Sequence, residues 1–94
     1  MSLTKMAFSI SFGPQADKFI AKLDNQTKER IRDKIEKLQE DPFPTEVERV
    51  ESYKKEKVFR VRVGDYRILY VVRFETKMIL IARIDKRERA YNKN

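Results

Sequence analysis

Hydrophobic positions recur with two different periods along the 94 residues of this chain. Phe8, Ile10 and Phe12 alternate with serines, and this period of two predicts a first strand over residues 6–12. Gly13-Pro14 interrupts the alternation, and proline suits the first position of a helix. Apolar residues then recur at the three- and four-residue spacing of two amphipathic helices. They are Ala16, Phe19, Ile20 and Leu23 in the first helix and Ile31, Ile35 and Leu38 in the second.

Turn residues divide the rest of the chain. Asp24-Asn25 is a turn and N-cap signal between the two helices, and Asp41-Pro42 ends the second one. Residues 42–57 carry two prolines and no clear long period, which predicts a loop. Two hydrophobic strands follow, then a turn at Glu75-Thr76-Lys77 and a last strand over 78–84. The polar, basic residues 85–94 predict a last helical turn or a tail.

The order of these elements, β-α-α-β-β-β, predicts the fold class. It describes an α+β domain with an N-terminal strand, an antiparallel two-helix hairpin and a C-terminal antiparallel three-stranded meander. The helices are expected to pack on one face of the sheet. Because 94 residues suffice for one modest core but not for two, residues 1–94 are expected to form a single domain.

The segment 58–70 (VFRVRVGDYRILY) predicts a tight hairpin of two alternating strands. A two-residue Gly64-Asp65 loop with glycine first places Arg62 opposite Arg67 and Arg60 opposite Leu69. The three arginines then project from one side of the sheet, which we call the arginine face. Like charges placed opposite each other destabilise a sheet, and neither strand of the hairpin offers an acidic residue. The expected missing partner is an anion.

The two sides of the strand after this turn differ in character. One side is fully apolar and is expected to meet the helices; it consists of Tyr66, Ile68, Tyr70, Val72 and Phe74. The other side mixes arginines with apolar residues; it consists of Arg67, Leu69, Val71 and Arg73. The arginine face therefore includes an apolar strip. Two interpretations stay open: ordinary exposed apolar surface, or a groove covered by the C-terminal tail or by another protein.

Composition excludes several kinds of chemistry. The chain has no cysteine and no histidine, so we expect neither disulfides nor a metal site, and the usual catalytic nucleophile–base pairs are absent. The absence of a signal peptide or an apolar membrane span predicts a cytoplasmic protein. Of the net charge of +7, residues from Val58 onward carry +6. A thermophile-like solvated surface explains the balanced first part, whereas the asymmetry favours a face that binds nucleic acid.

The hairpin V-F-R-V-R-V-G-D-Y-R-I-L-Y, the terminal I-D-K-R-E-R-A-Y and the order of elements resemble the RelE/ParE superfamily of type II toxin–antitoxin toxins. The resemblance covers essentially the whole chain, and the RelE branch of ribosome-dependent mRNA endoribonucleases is the nearer match. It implies a RelE-like fold and cleavage of mRNA by attack of the RNA 2′-hydroxyl, with no cofactor and no metal. It also implies an acidic RelB-like antitoxin in a heteromeric complex, with 2:2 as one stoichiometry, that binds operator DNA.

The resemblance also implies roles for individual residues. Arg67 and Arg87 match the arginines that hold and neutralise the scissile phosphate, and Tyr91 matches a tyrosine that stacks on the substrate base. Arg60 and Arg62 fall where some RelE toxins carry lysines. Further RNA contacts are expected from Lys57, Arg83, Lys86 and Arg89, although a one-residue slip would invert the side of Arg83. The general base is not assigned, because guanidinium groups stay charged; Tyr91 and a group on the ribosome are the two options.

Two other functions stay open at this level. One is a ParE-like toxin that inhibits DNA gyrase and cuts nothing, which needs the same fold but not the arginines. The other is a non-catalytic basic adaptor that binds RNA or DNA with a strong salt dependence and without an effect on growth.

Overall fold

At one edge of the sheet, the first strand of the chain pairs with the last one. Elsewhere in the sheet, neighbouring strands are consecutive in the sequence. The computed structural model describes residues 7–53 and 55–86. Their elements are β1 (Ser9–Phe12), α1 (Pro14–Ala21), α2 (Asn25–Glu40), β2 (Glu48–Tyr53), β3 (Glu56–Val63), β4 (Tyr66–Arg73) and β5 (Met78–Lys86). The strands form a five-stranded sheet in the order β1-β5-β4-β3-β2. β1 runs parallel to β5, and the other neighbours are antiparallel, so the α+β prediction is confirmed.

Both helices begin where the local chemistry predicts. Pro14 is the first residue of α1, a position at which its missing N–H group costs no hydrogen bond. Asp24 caps α2, and its carboxylate accepts a hydrogen bond from the Thr27 N–H at 3.4 Å. α2 ends at Glu40, immediately before Asp41-Pro42. Neither helix is long and apolar enough to cross a membrane.

The helices cover one face of the sheet, and the core lies between the two layers. The apolar stripe of α2 is buried, as the spacing predicts: Ile31, Ile35 and Leu38. The buried sheet residues that belong to the same core are Val61, Ile68, Tyr70, Ile79, Ile81 and Ile84. The Tyr70 hydroxyl donates a hydrogen bond to the Pro42 carbonyl at 2.6 Å, which satisfies the polar end of a fully buried ring. Within residues 7–53 and 55–86, no helix covers the opposite face of the sheet.

The largest difference from the predicted order is β2, because the pattern of residues 42–57 predicts a loop. The additional strand extends the predicted three-stranded meander to four strands. Its sequence, ERVESY, alternates too weakly to indicate a strand by itself. Hydrogen bonding to β3 holds it in place, with Val50 opposite Val58. β2 lies at the edge of the sheet, where tertiary context decides the conformation more than local propensity does.

Smaller differences occur at the ends of the strands. β1 begins at Ser9 and not at residue 6, and β5 continues to Lys86 and not only to Ile84. Phe74 is 60% exposed instead of meeting the helices, because β4 ends one residue earlier and the alternation of sides ends with it. Its ring contacts the rings of Phe8 and Phe43, with centroids 5.8 and 6.0 Å away.

Candidate functional site

The β3–β4 hairpin has the predicted turn and register. Gly64 adopts φ +58°, the left-handed conformation that glycine reaches without strain and that the first position of this loop requires. The facing pairs are Val63 with Tyr66, Arg62 with Arg67, Val61 with Ile68 and Arg60 with Leu69. Since Val61 and Ile68 are buried under the helices, the three arginines project from the other face of the sheet. The predicted arginine face is confirmed in this respect.

Among the described residues, two carboxylates lie beside the three arginines of the hairpin, and both come from strands that flank it. Glu48 of β2 lies opposite Arg60 and accepts hydrogen bonds from its guanidinium, with 2.9 Å between Oε1 and Nε. Asp85 of β5 lies opposite Arg67 and accepts a hydrogen bond from the Nε of Arg83 at 2.9 Å. The expectation that nothing offsets the arginines is therefore wrong. The acid that β3 itself places on this face, Glu56, pairs with Arg73 at the other end of the sheet, so the acids beside the three arginines come from the neighbouring strands.

The Glu48 carboxylate is surrounded by positive charge. The hydrogen bond from Arg60 lowers the pKa of Glu48 below its ordinary value, and the charges of Arg60, Arg62 and Arg67 add to the effect. The side chain is 49% exposed, so a bound molecule can reach it. At neutral pH Glu48 is thus ionised and accessible, and it is held among three guanidinium groups. The sequence pattern does not indicate Glu48, because residues predicted to form a loop cannot be placed on either face of a sheet.

Arg67 differs from its facing partner in exposure. Arg67 is buried, with 8% of its surface exposed, whereas Arg62 is exposed. A buried guanidinium has few rotamers available, so its charge keeps a defined position. The apolar strip predicted beside it is present: Leu69 is half-buried, and Val58 and Val71 are buried although they lie on the face that the helices do not cover.

A bulge in β5 determines which of its residues reach the arginine face. The register shifts between Leu69 and Tyr70, since Tyr70 lies opposite Ile81 but Leu69 lies opposite Arg83. Ala82 is therefore the additional residue of the bulge. The shift places Arg83 on the arginine face, next to Leu69, and so decides a side that the sequence left open.

Other predicted site residues lie elsewhere. Lys86 is opposite Tyr66, with its Nζ 5.9 Å from the ring centroid, on the side of the sheet that carries the helices. Lys57 has the same parity as Phe59 on β3 and lines a pocket of aromatic residues near the other end of the sheet, so it is also away from the arginine face. The remaining predicted residues are outside the described part of the chain: Arg87, Arg89 and Tyr91.

The geometry is suited to binding an anion. In the part of the chain that the structure describes, four arginines and two carboxylates share this end of the face, so positive charge is in excess: Arg60, Arg62, Arg67, Arg83, Glu48 and Asp85. Guanidinium groups donate in the fork geometry that matches phosphate oxygens. Within residues 7–53 and 55–86, no three carboxylates come together in the way that a bound metal ion would need. A phosphate group beside an ionised carboxylate is the chemistry that this arrangement favours.

Two of the similar solved structures are toxin–antitoxin complexes. The chain is similar to a chain of the archaeal RelE–RelB complex from Pyrococcus horikoshii, with a TM-score of 0.76 and 28% identity over 89% of this chain and 99% of that chain. It also matches a chain of the RelBE2 toxin–antitoxin complex from Mycobacterium tuberculosis, with a TM-score of 0.74 and 21% identity over 89% and 95% of the two chains. The second likeness is one of fold alone.

Sequence relatives indicate the same class. The toxin named RelE1 from Methanocaldococcus jannaschii is 31% identical over 87 residues, which are 92% of this chain and 97% of the relative. The model of the ParE toxin family of type II toxin–antitoxin systems matches residues 10–91. The chain therefore belongs to this toxin family, within the RelE/ParE superfamily. The resemblance inferred from the hairpin and the C-terminal motif is confirmed.

Proposed function

We propose that this toxin inhibits translation by cutting mRNA on the ribosome through attack of the RNA 2′-hydroxyl. RNA carries its own nucleophile, so the protein has to align it, accept its proton and stabilise the charge that develops on the phosphate. The observation that carries the proposal is the position of Glu48 among Arg60, Arg62 and Arg67. This position supports a mechanism in which a proton acceptor and phosphate-binding cations act together on one accessible face.

The residues then have distinct roles. Arg62 and Arg67 bind the non-bridging oxygens of the scissile phosphate, and Arg60 holds Glu48 in position. Glu48 takes the proton of the 2′-hydroxyl, the 2′-oxygen bonds to phosphorus, and the bond from phosphorus to the 5′-oxygen breaks. The 5′-oxygen takes up a proton from solvent, so the products are a 2′,3′-cyclic phosphate and a 5′-hydroxyl. Glu48 thus fills the proton-accepting role that arginines cannot perform.

Residues beyond the described part of the chain complete the proposed site. Arg87 is proposed to contact the same phosphate, and Tyr91 to stack on the substrate base, in line with the C-terminal motif. Arg83 is proposed as a further RNA contact because the bulge brings it to the arginine face. Lys57 and Lys86, which lie away from the arginine face, and Arg89, which is outside the described residues, are further candidates for binding RNA.

The experiment that tests the proposal replaces Arg67 by glutamine. Arg67→Gln should relieve growth arrest and lower the rate of mRNA cleavage about 10²–10³-fold, the usual cost of losing one contact that stabilises developing charge. Arg73→Gln is the matched control, since Arg73 lies on the same strand and face but binds Glu56 near the other end, at 2.8 and 2.9 Å. Circular dichroism should confirm that both variants are folded. Full toxicity of a folded Arg67→Gln variant would contradict the proposal.

The proposed partner is a RelB-like antitoxin of acidic character. The support is twofold: similar chains from Pyrococcus horikoshii and Methanococcus jannaschii were solved in complexes of RelE with RelB, and this chain has a net charge of +7. We propose a heteromeric toxin–antitoxin complex, of 2:2 stoichiometry, that binds its operator DNA. Co-expression with the product of the neighbouring reading frame should restore growth, and continued arrest despite a soluble partner would count against this pairing.

A second candidate function follows from the family match. The matching family model describes a ParE toxin, and a ParE-like toxin would inhibit DNA gyrase without cutting RNA. That activity does not require Glu48 among the arginines. Cut mRNA after induction of the toxin would favour the first function, and double-strand DNA breaks with intact mRNA would favour the second. A basic adaptor with no effect on growth does not fit membership in a toxin family.

A further inference from the structure

A side chain of α1 completes the hydrogen bonding of β5 beyond the end of β1. β1 pairs with β5 only from Met78 to Ile81, where the Gly13 N–H donates to the Ile81 carbonyl at 2.9 Å. Three residues later, the Ile84 N–H donates to Oε1 of Gln15 at 2.9 Å, and Nε2 of Gln15 donates to the Ile84 carbonyl at 3.0 Å. The Gln15 amide therefore satisfies both backbone groups of Ile84, which two residues of a longer parallel β1 would otherwise bind.

These contacts lie on either side of the β5 bulge. Ala82 is the additional residue, with the Ile81 contact before it and the Ile84 contact after it. Gly13, the residue immediately before α1, lies close to the bulge, since a Cβ atom at this position would lie 3.3 Å from the Ala82 carbonyl oxygen. The start of α1 thus holds β5 on both sides of the bulge.

The bulge sets the side of the sheet that the last residues of β5 face. Without it, the pairing of Tyr70 with Ile81 would continue so that Arg83 lay opposite Ile68 in the core and Ile84 lay on the arginine face. Full burial of the Ile84 side chain opposes that register. Burial of a side chain does not satisfy backbone groups, however, and the N–H and carbonyl of Ile84 point away from β4 towards Gln15.

We propose that Gln15 is a positioning residue for the arginine face. By holding the backbone of Ile84, it keeps the residues on either side, Arg83 and Asp85, on that face and in their ion pair. Replacing the amide by an apolar group removes the partner of two half-buried backbone groups, so the end of β5 becomes free to open. The role in organising β5 is independent of the proposed function, whereas its consequence for RNA rests on that function.

The first test follows the end of β5 by NMR in Gln15→Leu, with Gln39→Leu as the matched control. Gln39 also joins a helix to the backbone of another segment, since its Nε2 donates to the Phe8 carbonyl at 2.6 Å, but this residue lies immediately before β1. In folded Gln15→Leu, exchange of the Ile84 and Asp85 amide protons should accelerate at least about tenfold, and the cross-strand contact between Leu69 and Arg83 should weaken. Gln39→Leu should leave both unchanged.

Unchanged exchange at Ile84 together with an intact contact between Leu69 and Arg83 would overturn the proposal. If Gln15→Leu fails to fold, Gln15→Met, which keeps the length of the side chain without the amide, replaces it in the same comparison. Equal acceleration in the Gln39→Leu control would also overturn it, because the effect would then be a general loss of stability and not a local one.

The second test measures binding of a single-stranded RNA oligonucleotide by fluorescence anisotropy. Gln15→Leu should weaken binding about three- to tenfold, the range expected for the net loss of one or two hydrogen bonds, and Gln39→Leu should not. Added to Arg83→Ala, the Gln15 substitution should weaken binding no further, because both act through the same residue.

The two tests separate failure of the inference from failure of the proposed function. Normal mRNA cleavage by folded Arg67→Gln would reject the proposed function, and the NMR result alone would then decide the positioning role. A different result would reject the effect of Gln15 on the RNA site. In that case Arg67→Gln is impaired and NMR shows that β5 has opened in Gln15→Leu, but Gln15→Leu still binds RNA normally.

Discussion

Two Arg–Glu ion pairs lie at opposite ends of the arginine face, and the charges around them differ. Glu48 with Arg60 and Glu56 with Arg73 each join neighbouring strands, and each arginine lowers the pKa of its glutamate. Exposed pairs of this kind contribute little to stability. The difference is that Glu48 also experiences the charges of Arg62 and Arg67. Surplus positive charge, and not the ion pair itself, marks the end of the sheet where chemistry is expected.

Glu48→Gln should therefore lower the rate of RNA cleavage about 10²–10⁴-fold, the usual contribution of a positioned general base. Glu56→Gln, the same change in the other pair, should retain activity. Since the pKa of Glu48 is lowered, its protonation should not affect the wild-type rate between about pH 8 and pH 6, because the carboxylate is ionised throughout that range. The measurement is initial rates of cleavage for the three proteins across this range, and wild-type activity in folded Glu48→Gln would exclude Glu48 as the base.

At the scale of elements, the β3–β4 hairpin is the unit that places the arginines, and its turn depends on one backbone conformation. Gly64 has a positive φ, and the guanidinium of Arg30 from α2 lies against it, so a Cβ atom there would lie 2.8 Å from Nη2 of Arg30. That group is the end of a flexible side chain and can move away. The backbone conformation is therefore the stronger constraint on this position.

Gly64→Ala should reduce the free energy of unfolding by about 1–2 kcal/mol, because the left-handed conformation is strained for residues with a Cβ atom. Gly64→Asn should lose less, since asparagine tolerates this conformation better. Equilibrium unfolding in urea measures both changes. Equal stability of the alanine variant and the wild type would show that the turn does not need glycine.

At the scale of the molecule, the fold separates two surfaces. The helices and the core occupy one face of the sheet, and the arginines project from the other. Residues from Val58 onward carry +6 of the net charge of +7. The hairpin and β5 place part of this positive charge at one end of the arginine face. A polyanion should therefore bind mainly to that face, and its affinity should depend on salt.

The salt dependence of binding to single-stranded RNA should identify this face. The logarithm of the association constant should fall linearly with the logarithm of salt concentration, with a slope of about −0.7 for each phosphate contact. Arg62→Gln, at an exposed position on the arginine face, should reduce the slope by about one contact. Lys37→Gln, on the exposed side of α2, should leave the slope unchanged. Equal slopes for Arg62→Gln and the wild type would place the RNA elsewhere.

Local chemistry made much of this structure predictable from the sequence. Each of these features depends only on residues that are near one another in the sequence. They are the helix starts at Pro14 and Asp24, the apolar stripe of α2, the Gly64 turn and the register of the hairpin. The arginine face was predictable for the same reason, because a two-residue loop and the alternation of a strand determine which side chains share a side.

Only the tertiary structure decided the features that depend on distant partners. β2 forms because its backbone pairs with that of β3, and this pairing brings Glu48, the proposed base, beside the arginines. The side that Arg83 faces depends on a bulge in β5, which is held by the buried Ile84 and by Gln15, 69 positions earlier in the chain. Contacts over such separations leave no local periodicity, so the sequence determined the arginine hairpin by itself, and the packed fold determined its acidic partners.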